Sequence, residues 1–381
     1  MTGVPTLNAS SHGGFRKNNG IILSLQAVQN TAARLEATYA TDLCRDWPEQ
    51  TPPSKDVFEN LAIAAYLIEL WRNMYGVNPV TEDSREVKPV LFPGFVDIAC
   101  GTGVLVYVLL MEGYRGRGYD AQSRKSWDIF PKRVREQLME RVYVPKPFMD
   151  CVDVEILGMR TYTEDFSPNT FIISNHADEL TVWTPLMAAL ACPASPLPFL
   201  AIPCCSHSLS GRRHRYPAPK DYNGDAKTEK METRSDGLDG TSQPASGDLR
   251  ALRAAKAKEK TADGIPHSRY GSLTEKTAEI AREVGYRVER TSLEIHNSTR
   301  NLGIMGNCQT ITQTPVVGCP SVEQACEFED RDLVQKICDI VERECSMDGG
   351  VEAAARIWIG HARNLQRGQI HDHSQDTCQH T

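Results

Sequence analysis

The sequence predicts an α/β fold in which a mostly parallel sheet carries helices on both faces. Three observations predict it. Short apolar runs alternate with helical patterns from residue 94 to about 206, as in parallel strands joined by crossover helices. The run Phe95-Val96-Asp97-Ile98-Ala99-Cys100-Gly101-Thr102-Gly103 ends on small residues and opens into a helical pattern at Val104-Leu105. A second run, Gly118-Tyr119-Asp120, ends in an acidic residue about 20 positions further on, the spacing at which a strand end meets a ribose diol.

Each element follows from local pattern. Thr31 to Tyr39 reads as a short helix. Leu61, Ala65, Ile68 and Trp71 share one helical face, with Ser54 or Asp56 as the expected N-cap and Gly76 as the stop. A strand at 94–100 leads to a helix at 103–112 with Gly113 past its end. A strand at 115–120, a helix at 127–140 and a weaker strand at 151–157 come next. A strand at 171–174, a helix at 179–191 and a strand at 199–203 complete this half. Right-handed crossovers place the C-terminal ends of these strands on one sheet edge.

Residues 207–267 hold Gly, Pro, Ser, Asp and Lys with almost no large apolar residues, and read as a disordered insertion. Periodicity resumes at Tyr270, where Leu273, Thr277, Ile280 and Val284 share a helix face and Gly285 ends it. Strands are expected at 286–295, 302–305 and 310–317, and two helices within 321–366 around Gly349-Gly350. The organisation is therefore an N-terminal helical region (1–90), a first core part (91–206), the insertion (207–267), a second core part (268–320), and C-terminal helices with a polar tail (321–381).

The net charge of −7 argues against indiscriminate nucleic-acid binding but leaves room for a local basic face. Arg115 and Arg117, Arg124 and Lys125, Lys132, Arg133 and Arg135, and Arg212, Arg213 and Arg215 supply such clusters. The 12 cysteines lack regular spacing, which fits reduced thiols in a cytoplasmic protein better than a disulfide framework. No apolar run approaches the ~20 residues that span a bilayer, and Ile21 to Leu25 is too short for a secretory leader.

Three constellations point to chemistry. The small-residue turn, with Asp97 and Asp120 in register, suits S-adenosylmethionine, whose cationic sulfonium needs no pyrophosphate cradle. Asp97 is placed to hold the turn amides and the donor's amino group, and Asp120 the ribose hydroxyls. Ala99, Gly101 and Gly103 let the turn pass close beneath the donor. Ser174-Asn175-His176-Ala177-Asp178-Glu179-Leu180 follows a buried strand and reaches the same edge. Capping of the next helix is the competing reading, about as strong as a site role for Glu179 but weaker for Asn175, His176 and Asp178 together.

Methyl transfer to a hydroxyl needs alignment and an acceptor for the proton. Asp178 is the leading candidate, His176 the second, with Lys125 or Arg124 favouring the alkoxide or holding a phosphate. In Pro203-Cys204-Cys205-Ser206-His207 the adjacent cysteines do not match zinc-ligand spacing, so a substrate-facing wall and no metal site are expected. His371, His373, Cys378 and His380 in the tail suit adventitious metal capture only. Arg300, in Asn297-Ser298-Thr299-Arg300-Asn301, suits a phosphate or ribose contact.

Together these residues resemble the eukaryotic, fungal-type tRNA (uracil-2′-O-)-methyltransferase family that acts on uridine 44 of serine tRNA. The resemblance runs in family order over about 50–305. It is carried by Lys55-Asp56-Val57-Phe58-Glu59-Asn60-Leu61, the Gly-rich turn, Gly118-Tyr119-Asp120 and Arg124-Lys125-Ser126-Trp127. It continues in Asn175-His176-Ala177-Asp178-Glu179-Leu180-Thr181, Pro203-Cys204-Cys205, Tyr270-Gly271-Ser272-Leu273-Thr274-Glu275-Lys276 and Ser298-Thr299-Arg300-Asn301. Ala99 departs from a usual Gly, and Asn297 from an expected Pro.

The resemblance implies a class I Rossmann-like methyltransferase fold, S-adenosylmethionine as donor, and a cytoplasmic tRNA substrate. No membrane and no obligatory protein partner are expected. Arg124, Arg212, Arg213 and Arg300 would meet the RNA, and Asn175 would join the donor site. Two other readings stand beside it: the same fold acting on a protein or small molecule, and an inactive RNA-binding scaffold.

Overall fold

Ser24 opens the first helix, α1 (Leu25–Leu35), by accepting from the Ala27 amide, and the helix runs on through a π turn at Glu36–Ala40 into Thr41–Arg45. The structure is a computed structural model that describes residues 23–77, 92–149, 151, 161–163, 166–217, 268–293, 301–308 and 326–366, with side chains of the last segment from 331. Expectations for 152–157, 218–267, 294–295, 297–300, 310–317, 321–325 and 367–381 lie outside these residues. Helix α2 (Pro53–Tyr75) starts on Pro53 after an extended Pro52. Pro is preorganised for the first helical position, so Ser54 and Asp56 lie inside the first turn and neither is the cap. Gly76, at φ +68°, ends the helix as expected.

Strand β1 (Phe95–Asp97) passes into α3 (Val104–Met111), and β2 (Gly116–Asp120) comes next. The single helix expected over 127–140 is not there. A 3-10 turn at Lys125–Ile129 and a short helix at Lys132–Arg135 lead into β3 (Leu138–Glu140). Pro131 is the reason: it has no amide to donate, and Phe130 before it is held extended at φ −80°, ψ 154°.

β4 (Val142–Tyr143) pairs with β5 (Thr161–Tyr162) in a separate two-stranded sheet. There follow β6 (Phe171–Asn175), α4 (Trp183–Leu190), β7 (Phe199–Ile202), α5 (Arg269–Glu283), β8 (Val288–Ser292), β9 (Leu302–Gly306), α6 (Cys326–Cys345) and α7 (Val351–Gln366).

The main sheet has the order β3-β2-β1-β6-β7-β9-β8. β9 runs antiparallel to both its neighbours, while the other pairs are parallel. This is the mostly parallel sheet the residue pattern predicted and the class I Rossmann-like arrangement the resemblance implied. Alternation along the strands builds a core on each face. Phe95, Phe171, Ile173, Leu200 and Ile202 pack with α1, α2 and α3 on one side. Val96, Ile172, Phe199 and Ala201 pack with α4, α5, α6 and α7 on the other. Trp71 anchors α2 to the sheet, its ring 4.7–5.6 Å from those of Phe92, Phe95, Tyr114 and Phe171.

The parallel order brings Asp97, Asp120, Glu140, Asn175 and Ile202 to one edge. Residues 207–217, assigned by composition to the polar insertion, fold against the core. Leu209 and Tyr216 are buried, and the Leu209 carbonyl accepts from Trp183 Nε1 at 2.9 Å.

Candidate active site

A cleft of about 320 Å³ opens at that edge. Its floor is the turn after β1. Asp97 is 1% exposed; it accepts from the Ala99 amide, and its Oδ1 has no hydrogen-bond partner. Burial, with a contribution from nearby Asp120, pushes its carboxyl up to about 8. Gly101 has φ +51°, and a Cβ built there meets nothing within 4 Å, so this residue faces open space. Gly103, at φ +74°, is different: a Cβ would stand 3.0 Å from Leu138 Cδ1 and 3.1 Å from Trp127 Nε1. Gly103 therefore permits packing beneath the turn and does not line the cleft.

Asp120 closes the neighbouring strand and accepts from the Gly101 amide at 2.9 Å and the Gln122 amide at 3.1 Å. Burial raises its carboxyl and Arg124, 3.8 Å away, opposes the shift. The 3-10 turn after it directs Ser126 and Trp127 inward, where they donate to the Thr102 and Gly101 carbonyls. Lys125 is thereby left exposed and outside the cleft, whereas Arg124 lines it.

The loop after β6 supplies the facing wall. Asn175 Oδ1 is buried without a partner. His176 and Asp178 have φ +49° and +44°, left-handed conformations that non-glycine residues adopt at a cost of order 1–3 kcal/mol. His176 Nε2 donates to Glu59 Oε1 at 2.9 Å, and Asp178 Oδ1 accepts from the Cys204 thiol at 2.9 Å. A 3-10 turn spans Asp178–Leu180, and α4 begins only after Val182 with no side-chain cap. Neither side chain caps α4, and both lie in the first turn of the 3-10 segment. Burial pushes Glu179 up to about 7.

The cleft thus gathers Asp97, Ala99, Gly101, Asp120, Arg124, Asn175, His176 and Asp178. Arg212 and Arg213 are exposed elsewhere, Arg212 bonded to Asp348 at 3.3 Å. Arg300 lies outside the described residues.

Two further walls went unforeseen. Asp56, Glu59 and Asn60 come from α2, where i, i+3, i+4 spacing is the only signal that they share a face. Thr102 Oγ1 donates to Asp56 Oδ1 at 2.9 Å, tying that helix to the turn. Trp358, His361, Ala362 and Leu365 of α7 line the far side, and Trp358 Nε1 donates to the Tyr143 carbonyl at 2.9 Å. Their spacing resembles an ordinary core stripe.

Comparison with known proteins finds a matching family model and named relatives. A family model described as "Predicted AdoMet-dependent methyltransferase" matches residues 22–145. An Aspergillus oryzae protein named tRNA (uracil-O(2)-)-methyltransferase is 50% identical over 379 residues, 95% of this chain and 58% of that protein. A Neurospora crassa protein of the same name is 44% identical over 54% of this chain and 40% of its own length. The Saccharomyces cerevisiae counterpart is 33% identical over 80% and 52%. The chain spans about half the length of these relatives.

Proposed function

Because the chain belongs to the fungal tRNA (uracil-O(2)-)-methyltransferase family, we propose that it methylates a ribose 2′-hydroxyl of cytoplasmic tRNA, uridine 44 of serine tRNA. S-adenosylmethionine is the methyl donor of the matched family. The residues present fit it. Asp97 Oδ1 and Asn175 Oδ1 are buried acceptors lacking donors, and Gly101 leaves the turn open. Asp97 would take the cationic amino end, and Asp120, anchored by two amides, the ribose hydroxyls. When bound, the donor supplies a methyl group on a cationic sulfur that is a good leaving group.

The protein's own task is to hold the attacking hydroxyl and take its proton. Asp178 and His176 sit on the wall of the donor cleft, where either acts at the hydroxyl. A carboxylate can only accept, so the bond to Glu59 keeps the His176 proton on Nε2 and leaves Nδ1 as the ring's acceptor. Arg124 brings a positive charge to the same cleft. Lys125, Arg212, Arg213 and Arg300 are proposed to meet tRNA phosphates and set register, with Lys125 outside the proton-transfer site.

The observation that carries the reading is the cleft's convergence of Asp97, Asp120 and Asp178 in a chain half identical to its Aspergillus relative. Its test is mass-spectrometric mapping of 2′-O-methyl nucleosides in unmodified tRNA incubated with the chain and isotopically labelled donor. Label on the ribose of uridine 44 in serine tRNA is expected. Label on a base, on protein alone, or nowhere would overturn it. Salt-sensitive tRNA affinity separates this reading from a protein or small-molecule substrate.

A further inference from the structure

The chain bends at Cys205, three residues after β7. Cys204 and Cys205 are therefore not forced onto opposite faces, as neighbours in an extended strand would be. Cys204 Sγ lies 2.9 Å from Asp178 Oδ1, and ligand atoms of Asp178, Cys204 and Cys205 all fall within 4.8 Å of one another. A tetrahedral zinc ion, with Zn–S bonds of about 2.3 Å and Zn–O bonds of about 2.0–2.2 Å, separates its ligand atoms by roughly 3.5–3.8 Å. The three groups have the reach of one coordination sphere. His207, two residues on, lies outside this set.

We propose that Asp178, Cys204 and Cys205 bind a zinc ion at the wall of the cleft. Two thiolates and one carboxylate favour zinc over magnesium or calcium, which prefer all-oxygen shells. Cysteine spacing conceals the site because its third ligand stands 26 residues away, in the loop after β6. Binding forms two Zn–S bonds and one Zn–O bond, and the two thiol protons pass to solvent. The ion then clamps the loops after β6 and β7 together and fixes the strained backbone of Asp178. The ligand atom is Asp178 Oδ1, so the methyl-transfer reading requires the other carboxylate oxygen to meet the hydroxyl. Zinc binding itself does not depend on that reading.

The test is metal content together with cobalt spectroscopy on the purified chain. Inductively coupled plasma mass spectrometry should find about one zinc per chain after expression with zinc supplied. Cobalt(II) added to chelator-treated protein should give a thiolate-to-cobalt charge-transfer band. That band should vanish in the Cys204→Ser/Cys205→Ser variant, with circular dichroism confirming its fold. It should persist in a His371→Ala/His373→Ala variant, which removes two of the tail's candidate ligands. Zinc-free protein that gives no cobalt band would overturn the site, and so would a band that survives the serine substitutions or disappears with the tail histidines. Should the double variant not fold, Cys205→Ser alone serves: its band should weaken and shift, and a band identical to the wild type's would overturn the site.

Discussion

His176 Nε2 lies 2.9 Å from Glu59 Oε1, a bond between residues 117 apart that joins α2 to the loop after β6. The bond holds the imidazole at a residue with φ +49°, so the N-terminal helix fixes the orientation of a side chain on the cleft wall. A carboxylate orienting an imidazole sets both its tautomer and its direction.

If the two act as one unit, their losses do not add. Glu59→Ala and His176→Ala should each lower turnover by about 10²–10⁴-fold, the range of a general-base contribution. The double variant should be no worse than the poorer single one. Steady-state methyl transfer to tRNA checks this, and multiplicative losses would show independent roles.

Asp178→Ala should abolish methyl transfer while leaving donor affinity within about twofold, because Asp178 acts on the substrate hydroxyl in this account. Parallel calorimetry and turnover measurements decide it. Near-normal turnover would remove Asp178 from the mechanism.

The two glycines of the turn should fail differently. Gly101→Ala faces open space and incurs only the left-handed strain, roughly 1–2 kcal/mol, but its methyl group stands on the cleft floor and should impair donor binding. Gly103→Ala adds a clash with Trp127 and Leu138 and should destabilise the fold by more, as urea unfolding would show. Equal stability of the two variants would contradict the packing assignment.

Asp97 links stability to pH. Its carboxyl is raised from 3.8 to about 8 by burial, so the folded donor-free protein holds a proton that the unfolded chain releases. Unfolding stability therefore falls as pH rises between those values, and Glu179, pushed up to about 7, adds to the same slope. Asp97→Asn should flatten the slope and stabilise the donor-free protein at pH 8 by roughly 1–3 kcal/mol. Thermal midpoints across pH test the sign. A variant less stable than the wild type at pH 8 would contradict it.

Much of this architecture was readable from residue order. The turn around Gly101, the strand ending at Asp120 and the Asn175 to Asp178 loop each announce a strand-to-helix junction, and parallel topology then dictates that they meet. What escaped depends on docking. Asp56, Glu59 and Asn60 look like a solvated helix face until α2 is laid over the sheet edge. Trp358 and His361 look like core until α7 is seen to wall the cleft. β3 escaped because three residues, Leu138–Glu140, carry no periodicity of their own. Lys125 was misplaced because sequence neighbours of Arg124 need not share its direction on a 3-10 turn.

The central claim is that Asp97 and Asp120, closing adjacent parallel strands, hold the two polar ends of one S-adenosylmethionine molecule. Isothermal titration of the donor into wild type, Asp97→Asn and Asp120→Asn tests it directly. One site per chain is predicted, weakened about 10–100-fold by either substitution, as befits loss of a charged hydrogen bond. Affinities unchanged by both substitutions would contradict the account.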